Sequence, residues 1–262
     1  MANDAQERQG VLLVGHGTRD AQGTAEFLAL ADLMKRHLAP RAVEACFLEL
    51  QLPDIATGVR RLRDRGVTSL AVAPLLLFAA GHAKSDIPEA VAAALGDWNP
   101  HRVQAAALES HPALVALSQE RYATAIGESP AKETAVLLVG RGSSDASALA
   151  AFETFAEHRR AQLRGVTVQT AYVAVAEPRF SAAAAALAES NAERIVVQPH
   201  LLFHGELMRE LRTRVTELQR TTQREWMLTE HLAAGILTAG LGAERLISAC
   251  SDRILAALQR HT

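Results

Sequence analysis

The sequence predicts an α/β protein of two similar domains, each a three-layer unit with a parallel four-stranded sheet. Three observations carry that prediction. Short apolar runs alternate with longer amphipathic ones, which is the order of βαβ units. The runs are apolar on both faces, as in Leu70-Ala-Val-Ala-Pro-Leu-Leu-Leu-Phe78, and that suits a sheet covered by helices on each side. The series also occurs twice. Val11-Leu-Leu-Val-Gly-His16-Gly-Thr-Arg-Asp20 returns 125 positions on as Val136-Leu-Leu-Val-Gly-Arg141-Gly-Ser-Ser-Asp145, with Pro53 falling on Pro178 and Pro74 on Pro199. A register held over that distance means duplication.

In the first copy the apolar runs place strands at 11–14, 42–48, 69–78 and 102–108. The amphipathic stretches between them place helices at 21–37, 54–65, 87–95 and 112–126, with Ser85 or Asp86 as the N-cap of the third. The second copy repeats the series, with strands at 134–139, 167–173, 194–203 and 225–230 and helices at 146–163, 180–190, 206–219 and 243–261. A Gly, Ser and Pro stretch at 127–134 reads as the linker, so the expected domains are 1–129 and 130–262.

Composition narrows the function classes. The 262 residues suffice for two domains that each bury a core. An apolar content of 49% with 21% charged residues is that of a soluble globular protein, and a net charge of -2 gives no reason to invoke nucleic acid. Cys46 and Cys250 lack CxxC spacing, which argues against a zinc ribbon, an iron–sulfur cluster or a disulfide framework and makes a reduced cytoplasmic setting the expectation. Residues 1–10 are polar and mixed in charge, a lead-in rather than a signal peptide. No apolar run reaches about 18 residues, so no membrane span is expected.

The copies differ where chemistry could occur. His16 faces Arg141 and Glu49 faces Ala174; after a one-residue slip near position 80, Gly81 meets Gly205 and His82 meets Glu206. A His, Glu, His set is therefore confined to the first copy. Each member follows a different strand, at the sheet edge where such folds bind ligands. Two imidazoles and a carboxylate suit Fe²⁺, Co²⁺ or Zn²⁺, and they can also move protons. The intervals of 33 residues are not a local metal motif. Gly15 and Gly17 around His16, and Gly81 beside His82, allow tight turns and close approach of a flat ligand.

Structural readings compete with each assignment. His16 reads also as a turn residue capping the next helix, Glu49 as a solvated acid ahead of Gln51-Leu52-Pro53, and His82 as a helix-entry residue. His37, His101, His111, His158, His231 and His261 read as surface or capping histidines. His200 and His204, at the end of the third strand of the second copy, are candidates for the ligand site.

The pattern Leu-Leu-Val-Gly-His16-Gly-Thr-Arg-Asp, then Phe47-Leu-Glu49 with Pro53, then Pro74-Leu-Leu-Leu-Phe-Ala-Ala-Gly-His82 with Asp86-Ile-Pro88 resembles the class II chelatases, in particular the sirohydrochlorin chelatases. The likeness runs from about residue 10 to 257. It implies two flavodoxin-like halves facing an active cleft, and insertion of iron or cobalt into a reduced tetrapyrrole. It also implies that His16, Glu49 and His82 bind the metal and assist pyrrole deprotonation, with 1–129 carrying the site and 130–262 accessory to substrate binding. Single-half members pair as homodimers, so this chain resembles a fused form, monomer or homodimer. The His-rich stretch and cluster cysteines of longer members are missing from this sequence.

The implied substrate is a flat macrocycle bearing eight carboxylates, for which Arg19, Lys84, Arg141, Arg179 and Arg209 are candidate partners. No GxxxxGK[ST] loop occurs, so insertion without ATP is expected, with no tightly bound cofactor and the metal itself as substrate. Iron is the first expectation and cobalt the second. Two other classes compete. A histidine phosphatase would need Arg where Gly15 stands, and a tetrapyrrole or metal carrier would bind the same ligand without accelerating insertion.

Overall fold

The computed structural model describes residues 8–79, 81–128, 133–238, 240 and 242–260, without the side chains of His82 and Ala83. Most of the expected lead-in, the middle of the expected linker and His261 lie outside the described residues. The first repeat forms β1 (Gln9–Gly15), α1 (Ala21–His37), β2 (Ala42–Phe47), α2 (Ile55–Asp64), β3 (Ser69–Pro74), α3 (Ile87–Leu95), β4 (His101–Gln104) and α4 (Pro112–Ile126). The second forms β5 (Thr134–Gly140), α5 (Ala146–Gln162), β6 (Thr167–Tyr172), α6 (Phe180–Ala188), β7 (Arg194–Pro199), α7 (Glu206–Thr221), β8 (Glu225–Leu228) and α8 (Ala243–Gln259).

Each repeat makes one all-parallel sheet, in the orders β2-β1-β3-β4 and β6-β5-β7-β8. The central strands explain themselves. Val11, Leu12, Leu13 and Val14 are fully buried, as are Leu137, Leu138 and Val139, and only a strand covered on both faces tolerates such a run. Asp20, Asp54 and Asp145 cap α1, α2 and α5 by accepting from the backbone N–H of Gly23, Thr57 and Ser147. Because the order reverses beside β1, the switch point that accepts ligands lies where β1 and β3 end.

Some expected elements are shorter. β3 stops at Pro74 and β7 at Pro199 because the central strands end there. After one further bond each to the central strand, Leu75 N–H to Val14 O and His200 N–H to Val139 O, the chain continues as loops whose carbonyls still accept on the other side, Leu76 O from Leu108 N–H and Leu201 O from Leu232 N–H. The apolar runs to Phe78 and Phe203 are instead partly buried loops.

Packing divides the chain into two compact units, residues 1–108 with 235–262 and residues 109–234. They differ from the expected division into 1–129 and 130–262 because each takes its last helix from the other repeat. α8 packs on α1, β3 and β4, whereas α4 packs on α5. One arginine on each exchanged helix makes matching bonds: Arg253 donates to Leu108 O at 3.0 Å, and Arg121 donates to Leu232 O at 2.9 Å.

A buried polar network also ties α4 to the second repeat. Arg159, with no exposed surface, donates to Gln119 Oε1 of α4 at 2.7 Å, and Gln198 Nε2 donates to Ser118 O of α4 at 2.5 Å. Burial pulls the Arg159 guanidinium down to about 10. The first repeat carries Met34 and Ala73 at the positions of Arg159 and Gln198. Removing α4 would strand buried donors and acceptors, which costs more than losing equivalent apolar contact.

Candidate active site

The pairing of β1 with β2 does not end with the strands. Leu48 N–H donates to Gly15 O at 2.8 Å and Glu49 N–H to His16 O at 3.1 Å, so two loops leave the sheet edge side by side. Gly17 makes this possible. It has φ +97°, and a Cβ there would sit 1.8 Å from Glu49 O. The second repeat builds the same frame: Val173 and Ala174 N–H donate to Gly140 and Arg141 O, and Gly142, at φ +93°, would place a Cβ 1.8 Å from Ala174 O.

On this frame His16 Nδ1 lies 3.4 Å from Glu49 Oε1, with side chains 27% and 50% exposed. The two are therefore together and open to solvent, as ligands for an incoming ion must be. Gln51 strengthens the arrangement, since its Nε2 donates to Thr18 O at 2.7 Å and clamps the Glu49 loop onto the His16 loop. The capping role considered for His16 belongs instead to Asp20, which accepts from Gly23 N–H at 3.0 Å.

The third expected donor, His82, opens a π-helical turn, His82–Asp86, that runs into α3 after β3. Its side chain lies outside the described residues. π-helical turns concentrate at functional sites. Asp86 stands at the N-cap position as expected, but with helical φ and ψ and without a side-chain capping bond, and Ser85 Oγ donates back to Gly81 O at 2.9 Å. Among the described residues no group of three or more His, Cys, Asp or Glu is gathered for a metal. Cys46 and Cys250 are buried with their thiols pushed up by burial, Cys250 to about 12, so they offer no thiolate ligand.

The expected roles of two glycines change. Gly15 is buried, and a Cβ there would lie 2.9 Å from the Phe27 ring, so its bareness serves core packing. The space at Gly17 is filled by the Glu49 carbonyl. Neither clearance is left for a ligand. Gly81 is exposed with open space around it, and Arg19 and Lys84 are exposed on the loops after β1 and β3.

A family model for CbiX matches the sequence twice, over residues 10–125 and again over 135–249. The chain belongs to the CbiX family. It is 31% identical over 227 residues to a sirohydrochlorin ferrochelatase of Priestia megaterium, an alignment covering 85% of this chain and 83% of the relative. It is 30% identical over 219 residues to a sirohydrochlorin cobaltochelatase of the same organism, covering 80% of this chain and 69% of that one. The solved structure of SirB from Bacillus subtilis with Fe³⁺ superposes with a TM-score of 0.79 at 27% identity, covering 93% of this chain and 96% of that chain.

The two CbiX repeats thus share a frame, and only the first puts an imidazole and a carboxylate on it. In the second, Arg141 is exposed opposite Ala174, and Arg179 is engaged by Glu177 at 3.0 Å. The expectation for His200 needs correction. It is 2% exposed, its ring centroid 4.0 Å from Phe155 and 5.5 Å from Phe152, and it occupies the core slot that Leu75 fills in the first repeat. A group so enclosed cannot meet a ligand. The repeat held the signal, since Pro74-Leu75 aligns with Pro199-His200. His204 is half-buried, edge-on to His231 at 5.9 Å, and His231 is itself buried 3.8 Å from Glu230 rather than lying on the surface. Of the other histidines, His111 caps α4 by accepting from Ala113 N–H.

Burial pushes the His200 imidazole from its ordinary 6.5 down to about 3. Between those values the unfolded chain binds a proton that the folded chain refuses, so folding stability falls as pH drops below about 6.5, by about 1 kcal/mol per pH unit. His200→Leu, the residue of the matching slot, removes this dependence. In denaturant melts its advantage over the parent should grow by about 2 kcal/mol between pH 7 and pH 5. Parallel pH profiles for the two proteins would contradict the assignment.

Proposed function

We propose that this protein inserts Fe²⁺ into sirohydrochlorin without ATP, the reaction named for its ferrochelatase relatives. The carrying observation is the His16–Glu49 pair, 3.4 Å apart at the β1 switch point and present in one repeat only. A CbiX relative named as a cobaltochelatase makes Co²⁺ insertion for cobalamin the second reading.

Insertion exchanges two pyrrole N–H protons for one divalent ion. A neutral imidazole and a carboxylate suit both halves of the exchange: they hold a first-row ion through N and O donors and accept the departing protons. Few protein ligands leave coordination positions open for the macrocycle nitrogens, whereas a closed tetrahedral site would trap the ion. His82, opening the turn after β3 on the other side of β1, is the third donor in this reading. Arg19 and Lys84 supply cations for the carboxylate rim.

The experiment is an absorbance time course with sirohydrochlorin and either ion, without nucleotide. Acceleration over the uncatalysed background is expected, and the faster ion under matched conditions decides between the two readings. Tight binding of the tetrapyrrole without acceleration would make the protein a carrier.

A further inference from the structure

Glu49, Leu50 and Gln51 form a three-residue turn, closed by Gln51 N–H donating to Glu49 O at 2.8 Å, with Leu50 at φ +65°. That conformation disfavours any side chain and favours glycine. The Leu50 side chain is nevertheless large, apolar and 51% exposed, and Leu52 beside it is 78% exposed. Single exposed apolar residues are ordinary on a protein surface. An apolar side chain held in water on a strained backbone is not.

The second repeat repeats the anomaly in a stronger form. Ala176 N–H closes the same turn onto Ala174 O at 2.7 Å, with Val175 at φ +65° and 59% exposed. A β-branched residue is the worst choice for that backbone. The turn belongs to the scaffold, yet each copy fills its centre with an exposed hydrophobe.

We propose that Leu50, extended by Leu52, is an apolar contact for the flat face of the tetrapyrrole during metal insertion. This rests on the reading of His16 and Glu49 given above. Leu50 is bonded directly to Glu49, and the Gln51 clamp on Thr18 fixes its turn to the loop that carries His16. A contact beside an anionic carboxylate suits the apolar plane of the macrocycle rather than its carboxylate rim, since carboxylates at close range repel. Backbone strain of this kind clusters at ligand clamps, where burial of the side chain by the ligand can offset its cost.

The test is a titration of sirohydrochlorin, without metal, into the full-length protein. Leu50→Gly and Leu50→Asn relieve the backbone and delete the apolar contact, while Leu50→Met keeps the contact. Burying the exposed half of a leucine is worth roughly fivefold to tenfold in Kd. The Gly and Asn variants should bind that much more weakly with an unchanged or higher melting temperature, and the Met variant should bind as the parent does. Parent-like Kd values for Leu50→Gly and Leu50→Asn would overturn the proposal and mark the patch as a surface for something other than the tetrapyrrole. His16→Ala is the separate control: if it still inserts metal at the parental rate, the reading of the site fails, whatever the Leu50 titrations show.

Discussion

Replacing Gly17 by Ala should cost about 3 kcal/mol of stability and at least tenfold in metal insertion, whereas Gly142→Ala should cost the same stability and leave insertion close to the parental rate. Both glycines have strongly positive φ, and in both cases a Cβ would sit 1.8 Å from a backbone carbonyl, that of Glu49 or of Ala174. A backbone oxygen cannot rotate away as a side-chain tip can. Relief requires the two loops to separate, which stretches the bonds from Glu49 N–H to His16 O or from Ala174 N–H to Arg141 O. In the first repeat that separation pulls apart the His16–Glu49 pair, while in the second it parts residues with no assigned step. Denaturant melts and insertion rates on both variants check the expectation. Equal effects of the two variants on the rate would mean that the first-repeat frame has no special part in catalysis.

The second large effect concerns the pair itself. A positioned proton acceptor typically contributes about 10²–10⁴-fold to a rate. His16→Ala and Glu49→Ala should therefore each lower kcat/KM by about 10²-fold or more. Because the groups are 3.4 Å apart and act on the same ion and protons, the double variant should fall little below the worse single one. Stability should change little, since both side chains are partly exposed. Losses that simply multiply would show that the two residues serve separate steps.

Much of this architecture was legible in the sequence, for identifiable reasons. The buried Val-Leu-Leu-Val runs at 11–14 and 136–139 admit only covered strands, and the repeat register located the unshared His16 and Glu49 at strand ends. The exchange of α4 and α8 was not legible, because an amphipathic pattern states that a helix has an apolar face and not which sheet covers it. The ends of β3 and β7 are not legible, since an apolar loop and an apolar strand read alike once the central strand has stopped. His200 reads as a ligand group because a polar residue at a strand end suggests a site, whereas its repeat partner Leu75 marks the same slot as core. Glycines at 15 and 17 suggest clearance for a ligand, but Phe27 and the Glu49 carbonyl fill that space, contacts that no local pattern encodes.

In the proposed reaction, insertion chemistry belongs to the first repeat, at the edge where β1 hands over to His16. The most direct measurement is the nucleotide-free initial rate of insertion for His16→Ala beside Arg141→Ala, the same position in the twin frame, each at saturating metal and sirohydrochlorin. The first should fall by about 10²-fold or more while the second keeps most of its maximal rate. A His16→Ala protein that turns over as the parent does, or an Arg141→Ala protein that is the one to lose its maximal rate, would contradict that assignment.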